Sequence, residues 1–131
     1  MTKRRILDAI RKKLSLEGQD MRGLNLTGVN FDGINLRKTK FAQSILRECS
    51  FKGADLSFSS LWRADLTNAD MTNANLTETD LDFAEVDGLV IKGALLKGTT
   101  FPMHRINLQQ IQRSRKDGVP LKMLKGPYDE R

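Results

Sequence analysis

The chain has 131 residues, of which 29% are charged, 39% hydrophobic and only 6% aromatic, a balance suited to one soluble domain with a modest core. No run of about 18 apolar residues is available to cross a membrane as a helix. A single cysteine, Cys49, excludes an internal disulfide, and one Cys with one His supplies no ligand cluster for zinc or iron.

The net charge of +6 is unevenly spread. Residues 1–20 carry six Lys/Arg against three Asp/Glu, residues 21–101 nine against ten, and residues 102–131 seven against three, so the basic excess lies at the two ends. Within the middle segment, residues 21–63 hold seven basic and three acidic groups, and residues 64–101 hold two and seven.

The first element, within residues 1–20, is predicted to be an amphipathic capping helix. Ile6, Ala9, Ile10 and Leu14 recur at helical spacing, Arg4, Arg5, Arg11 and Lys12 fall elsewhere, and Thr2 is placed to cap the first turn. The segment MTKRRILDAIRKK has no uninterrupted apolar stretch of about 7 residues and no small-residue cleavage site, so it does not read as a secretory signal; the expected location is cytoplasmic.

Residues 21–101 repeat with a period of five, most plainly in RADLTNADMTNANLTETDL at 63–81. Stepping by five from Met21 through Leu66 to Phe101 gives seventeen large apolar residues. Two residues before each of these centres, from Leu24 to Thr99, stand sixteen small or apolar ones. None of the thirty-three positions is charged, against chance odds on the order of one in a hundred thousand, which implies periodic burial. Residues two apart on an extended chain share a side, so each small residue and its following centre point inward and the residue between them points out. Three residues then precede the next inward position, which demands a corner after every centre. All seven glycines of the segment, Gly23, Gly28, Gly33, Gly53, Gly88, Gly93 and Gly98, lie two residues past a centre, where a positive φ suits a tight turn.

These quintets, ADLTN, ADMTN and ANLTE, resemble the pentapeptide-repeat proteins, whose consensus is a small residue, Asp or Asn, Leu or Phe, and two variable polar residues. The resemblance covers residues 21–101 and implies an all-β solenoid: a right-handed quadrilateral β-helix of about four turns, with four quintets in each 20-residue turn. At about 4.8 Å between hydrogen-bonded strands it stands roughly 20 Å tall. The match is looser where Leu24, Val29, Ile34 and Leu89 replace the small residue, and where Ile45, Val90 and Leu95 replace the outward Asp or Asn.

After the repeat, residues 102–131 are expected to form a capping helix and a tail. Asn107 as cap, Gln110 three residues on and Gly118 as terminator bracket a helix near 108–117. Beyond Pro120, Val119, Leu121, Met123, Leu124 and Tyr128 either fold back over Val90 and Leu95 or join a second copy, making a homodimer through an end of the solenoid.

A shaft filled by one small and one large side chain per quintet leaves no ligand-sized cavity, so neither enzymatic activity nor a cofactor is expected. His104 has no designated catalytic partner, and Cys49 occupies an inward small position. Asp65, Asp70, Asp80, Asp82, Glu85 and Asp87 follow the repeat rather than a calcium-loop spacing and read as a solvated outer surface; Asp65→Lys is then worth only about half a kcal/mol.

Three aromatics, Phe58, Trp62 and Phe83, fall on the outward phase. With 20 residues per turn Arg63 lies beneath Phe83, and Trp62 one column over, so Trp62, Arg63 and Phe83 are expected to form one patch near the corner that carries Phe58, with the composition of a binding hot spot. The leading functional reading is therefore a non-enzymatic protein-binding or regulatory module. One alternative is an acidic partner, nucleic acid or anionic membrane, held by Arg4, Arg5, Arg11 and Lys12 with Arg113, Arg115 and Lys116. The resemblance implies another, modulation of a type II topoisomerase by mimicry of DNA, for which only residues 64–101 are acidic enough.

Overall fold

A computed structural model describes residues 1–125 of the chain. Two helices, α1 (Lys3–Arg11) and α2 (Leu108–Asp117), bracket a coil with no other helix among the described residues. The coil is held by parallel bridges between residues twenty apart, in unbroken register from Asp20↔Lys40 to Asp80↔Thr100. At Leu66 the N–H donates to the Glu85 carbonyl one rung above (2.8 Å), while the N–H of Asp65 donates to Ser44 one rung below (3.0 Å). Each face contributes a single bridging residue rather than a continuous strand, because three of every five residues are spent turning.

The corner is a tight turn. After Leu61 the chain runs through Trp62 and Arg63, and the Ala64 N–H returns to the Leu61 carbonyl (2.9 Å). Its third residue takes a positive φ, 56° at Arg63, as a type II turn requires. The same sign recurs at every fifth position from Gly18 to Gly98, whether or not glycine is present. A Cβ built at Gly88 would meet the Asn68 side chain on the rung below.

Inside, every centre from Met21 to Ile91 is fully buried, Phe101 nearly so, and Leu96, in the last rung, is half-buried. The aromatic stack fixes the geometry of the shaft. Phe31 lies flat on Phe51, twenty residues later, with ring centroids 5.0 Å apart and 5° between planes. Phe41, ten residues from each, meets both edge-on at 5.8 and 6.3 Å. Ten residues therefore cross the shaft and twenty climb one rung. Each fully buried Leu or Phe stabilises by about 1.5–3 kcal/mol over its exposed state. The phase begins one step before Met21, because Leu16 is buried and its N–H donates to the Asn35 carbonyl (2.9 Å).

The outward Asp and Asn do more than face water. Asp65 Oδ1 accepts from the Thr67 N–H (3.0 Å) and the Thr67 hydroxyl (2.6 Å), and Asp70 and Asn75 do the same with Thr72 and Thr77. This is the physical reason for the Asp/Asn-Leu-Thr spelling: an Asx turn locks the entry to each corner. Reading these residues as merely solvated is corrected accordingly, and the cost of Asp65→Lys rises above half a kcal/mol. A second ladder runs inside, where the hydroxyls of Ser59, Thr79 and Thr99 donate to the carbonyls of Leu36, Leu56 and Leu76.

Both ends are covered. Thr2 Oγ1 accepts from the Arg5 N–H, and Ile6 is fully buried in the same core cluster as Val29 and Ile34, with Ala9, Ile10 and Leu24 packed against that cluster. Where large residues replace small ones in this first rung, Val29 and Ile34 are buried and Leu24 is half-buried. Leu14 does not belong to the apolar face: α1 stops at Arg11, Lys13 takes φ 55°, and Leu14 is exposed. At the other end Asn107 Oδ1 accepts from the Gln110 N–H (2.9 Å), Gly118 is left-handed, and Ile111 is buried. The Gly93 N–H bonds the Arg115 carbonyl (2.9 Å), so α2 closes the last rung.

The tail then returns along the open edge. Leu121 pairs with the Gly88 N–H (2.7 Å) and the Leu89 carbonyl (2.8 Å), and Leu121 and Met123 are buried. It follows residues 86–89 and leaves Leu95 and Leu124 exposed, because the edge N–H groups rather than the outward apolar side chains are what it satisfies. Tyr128 lies outside the described residues.

Candidate functional site

The corner after Leu61 places Trp62 and Arg63 side by side, and the rung above places Phe83 over Arg63. The Arg63 guanidinium sits 4.7 Å from the Trp62 ring centroid and 5.8 Å from that of Phe83. Phe83 in turn lies 5.5 Å from the His104 ring. The twenty-residue register thus brings together three of the four aromatic-patch residues read from the sequence. Phe58 is at the preceding corner, where Arg37 covers its ring at 5.6 Å, and forms a separate contact. Phe58 and Phe83 are about half exposed and hold φ of 62° and 58°. A bulky residue in that region costs about 1–2 kcal/mol that glycine would not, so the fold alone does not select these two rings.

Beside Phe83 opens a groove of about 960 Å³ between α2 and the last rung. Leu96, Phe101, Pro102 and Ile111 line it, and Met103 and Leu108 stand on its rim, both more than half exposed. Arg115 and Lys116 of α2 border it on one side, and Asp82 borders it next to Phe83. The groove was not legible in the sequence. It arises where α2 tilts across a rung whose own centre, Leu96, is only half-buried; the run Phe101-Pro102-Met103 was its one sequence signal.

The coil surface is laced by exposed ion pairs, Arg37 with Glu17 and Asp55, Arg47 with Asp65, and Lys52 with Asp70. Burial by itself would raise the carboxyls of Asp55 and Asp65. Hydrogen bonds from Ser57 and Thr67, joined by Arg37 and Arg47, outweigh it and hold both below their ordinary value. Burial pushes the Cys49 thiol up to about 11, and its Sγ donates to the Leu26 carbonyl. Among the described residues no group of three or more His, Cys, Asp or Glu is placed to hold a metal ion.

The basic helices do not form one patch. α1 precedes the first rung and α2 closes the last. On α1, Arg11 and Lys12 are paired with Asp8, leaving Arg4 and Arg5 exposed, and on α2 Arg113, Arg115 and Lys116 are exposed. No described helix is long and apolar enough to cross a membrane.

A twenty-residue rung with a corner every five residues, covered at both ends and filled by stacked side chains, defines a parallel-coil repeat protein. The chain belongs to the pentapeptide repeats family: the family's sequence model matches eight copies over residues 34–73, 49–82 and 63–101. Among solved structures it is similar to a pentapeptide repeat protein from Nostoc PCC 7120, with 25% identity, a TM-score of 0.75 and 92% of each chain covered. It is also similar to a pentapeptide repeat protein from the thylakoid lumen of Arabidopsis thaliana, with 38% identity and a TM-score of 0.53 over 62% of this chain. The match spans 60% of that protein's length. No curated protein matches the chain significantly.

Proposed function

We propose that this chain is a non-enzymatic protein-binding module, built as the right-handed quadrilateral β-helix of about four turns that its relatives imply. The observation that carries the reading is the stack of Trp62, Arg63 and Phe83 on the outside of the coil. Exposed Trp and Phe joined by Arg have the composition of interface hot spots. Arg63 is already ordered between two rings, so little side-chain entropy is lost when a partner docks on it. The rung register holds the spacing of the three, which suits the display of a fixed epitope more than chemistry.

The test is affinity capture from the native host with wild-type chain and a Trp62→Ser/Phe83→Ser double variant. A partner retained by the wild type and lost by the variant, at unchanged circular dichroism, is expected; equal recovery rejects the patch. A cytoplasmic location belongs to the same reading. The Arabidopsis relative comes from the thylakoid lumen, so fractionation of the host, with the chain found in the soluble cytoplasmic fraction, is the check.

A further inference from the structure

The groove beside α2 has a shape and a charge arrangement that the aromatic patch does not explain. Three large apolar side chains, Phe83, Met103 and Leu108, stand around it with more than half their surface exposed. Its floor of Leu96, Phe101, Pro102 and Ile111 is apolar and continuous with the buried end of the shaft. A volume of about 960 Å³ lies at the top of the range that ligand sites occupy, about 300–1,000 Å³. It is open to solvent rather than enclosed, which suits a chain segment laid across it better than a buried small molecule.

The charges that border the groove are mostly positive. Arg115 and Lys116 border the groove on α2, and no carboxylate among the described residues pairs with either. Arg115 Nε donates to the Ala94 carbonyl, which fixes the guanidinium at this edge. Asp82, next to Phe83 in the chain, also lines the groove. An occupant therefore meets two cations that have no carboxylate partner among the described residues, and a single lining carboxylate.

Phe83 adds an independent observation. It holds φ 58° at a corner where eight of the seventeen equivalent positions are glycine, and its ring rests against His104 at the groove mouth. The same positive φ recurs at Phe58 and at seven other non-glycine corners, so what marks Phe83 is its exposed ring on this groove.

We propose that this groove takes a peptide segment of a partner protein, with bulky apolar side chains seated on the floor and a carboxylate facing Arg115 and Lys116. The proposal deepens the binding-module reading and rests on it only in sharing Phe83. The apolar anchors supply affinity, and the α2 cations set orientation by excluding a segment whose charges are reversed.

The test is selection of a phage-displayed random 12-residue library against the full chain, followed by fluorescence anisotropy with one selected, labelled peptide. Enriched sequences are expected to pair Leu, Ile, Phe or Trp with a flanking Asp or Glu. Leu108→Glu should weaken the peptide at least tenfold. Lys116→Glu should weaken it by about tenfold, and replacing the peptide's acidic residue by Lys should restore binding to that variant. Gln19→Ala, at an exposed position in the first rung, should leave the affinity unchanged. Both Leu108 and Lys116 are exposed, so the variants keep the fold, checked by circular dichroism.

Failure to enrich any sequence, enrichment without acidic residues, or an affinity indifferent to Leu108→Glu overturns the proposal. So does a sedimentation profile in which the wild type is a dimer and the Leu108→Glu variant a monomer, which assigns the groove to a second copy. Loss of the peptide with Trp62→Ser but not with Leu108→Glu removes the groove and keeps the patch. Peptide binding as expected, with host capture unaffected by the Trp62/Phe83 double variant, keeps the groove and removes the patch.

Discussion

Asp65 offers the sharpest test of why the repeat is spelled as it is. Its Oδ1 accepts from the Thr67 N–H at 3.0 Å and the Thr67 hydroxyl at 2.6 Å, and its Oδ2 takes an ion pair from Arg47 at 3.1 Å. Asn75 makes the first two bonds with the same lengths and no ion pair. Asp65→Asn should therefore lose only the Arg47 pair, whose partner is half exposed, at about 0.2–1 kcal/mol. Asp65→Ala loses two further hydrogen bonds at about 0.5–1.5 kcal/mol each, for a total of roughly 1–4 kcal/mol.

The Asp65 carboxyl is held below its ordinary 3.8, so its charged form is favoured by folding. The stability it contributes is complete above that value and is lost as the pH falls through the lower, folded one. Urea unfolding followed by circular dichroism at pH 7 and at a series of acid pH values stepping well below 3.8 separates the two effects. The gap between wild type and Asp65→Asn should close in acid, while the deficit of Asp65→Ala should persist. An Asn variant as damaged as the Ala variant, or an Ala variant within about half a kcal/mol of wild type, refutes the Asx-turn account.

Leu66→Asp, at a fully buried centre in the middle of the coil, should cost several kcal/mol through an unpaired buried charge, and a urea midpoint near wild type would contradict the inward phase. Phe58→Gly should be neutral within about 1 kcal/mol by thermal unfolding: relief of about 1–2 kcal/mol of backbone strain offsets the Arg37 contact, about 0.5–1 kcal/mol, and the entropy of glycine. A loss above about 2 kcal/mol would mean the ring packs more than its exposure allows. Cys49, buried with its thiol raised to about 11, should resist a thiol reagent at pH 8 until urea unfolds the chain, and prompt labelling of the native protein would place it elsewhere.

The shaft was legible because one physical demand, exclusion of charge at two phases of five, acts at every rung and so is written many times over. The caps were legible for the opposite reason: Thr2, Asn107 and Gly118 each satisfy a local rule that needs no knowledge of the rest. The Trp62–Arg63–Phe83 stack followed from counting to twenty once the turn length was supplied by family resemblance. What escaped depends on a choice between equivalent side-chain partners. Nothing in the letters says that the tail would satisfy the edge at Gly88 and leave Leu95 bare, or that Phe58 would find Arg37 rather than Trp62. The groove beside α2 escaped as well, because it is set by the tilt of a helix against a rung, and periodicity carries no information on tilt. The Asx turns were overlooked for another reason: an outward Asp was read by its charge, and its work is done by its acceptor oxygen.

The bridges between residues twenty apart make the coil a counter as well as a scaffold. Splicing in a single quintet would swing everything downstream by a quarter circle and carry α2 around to a different side from Trp62. Splicing in twenty residues would raise α2 by one storey, about 4.8 Å, and leave its compass bearing unchanged. Length in such a chain can drift freely only in whole storeys, and any shorter change rewrites which surfaces share a side.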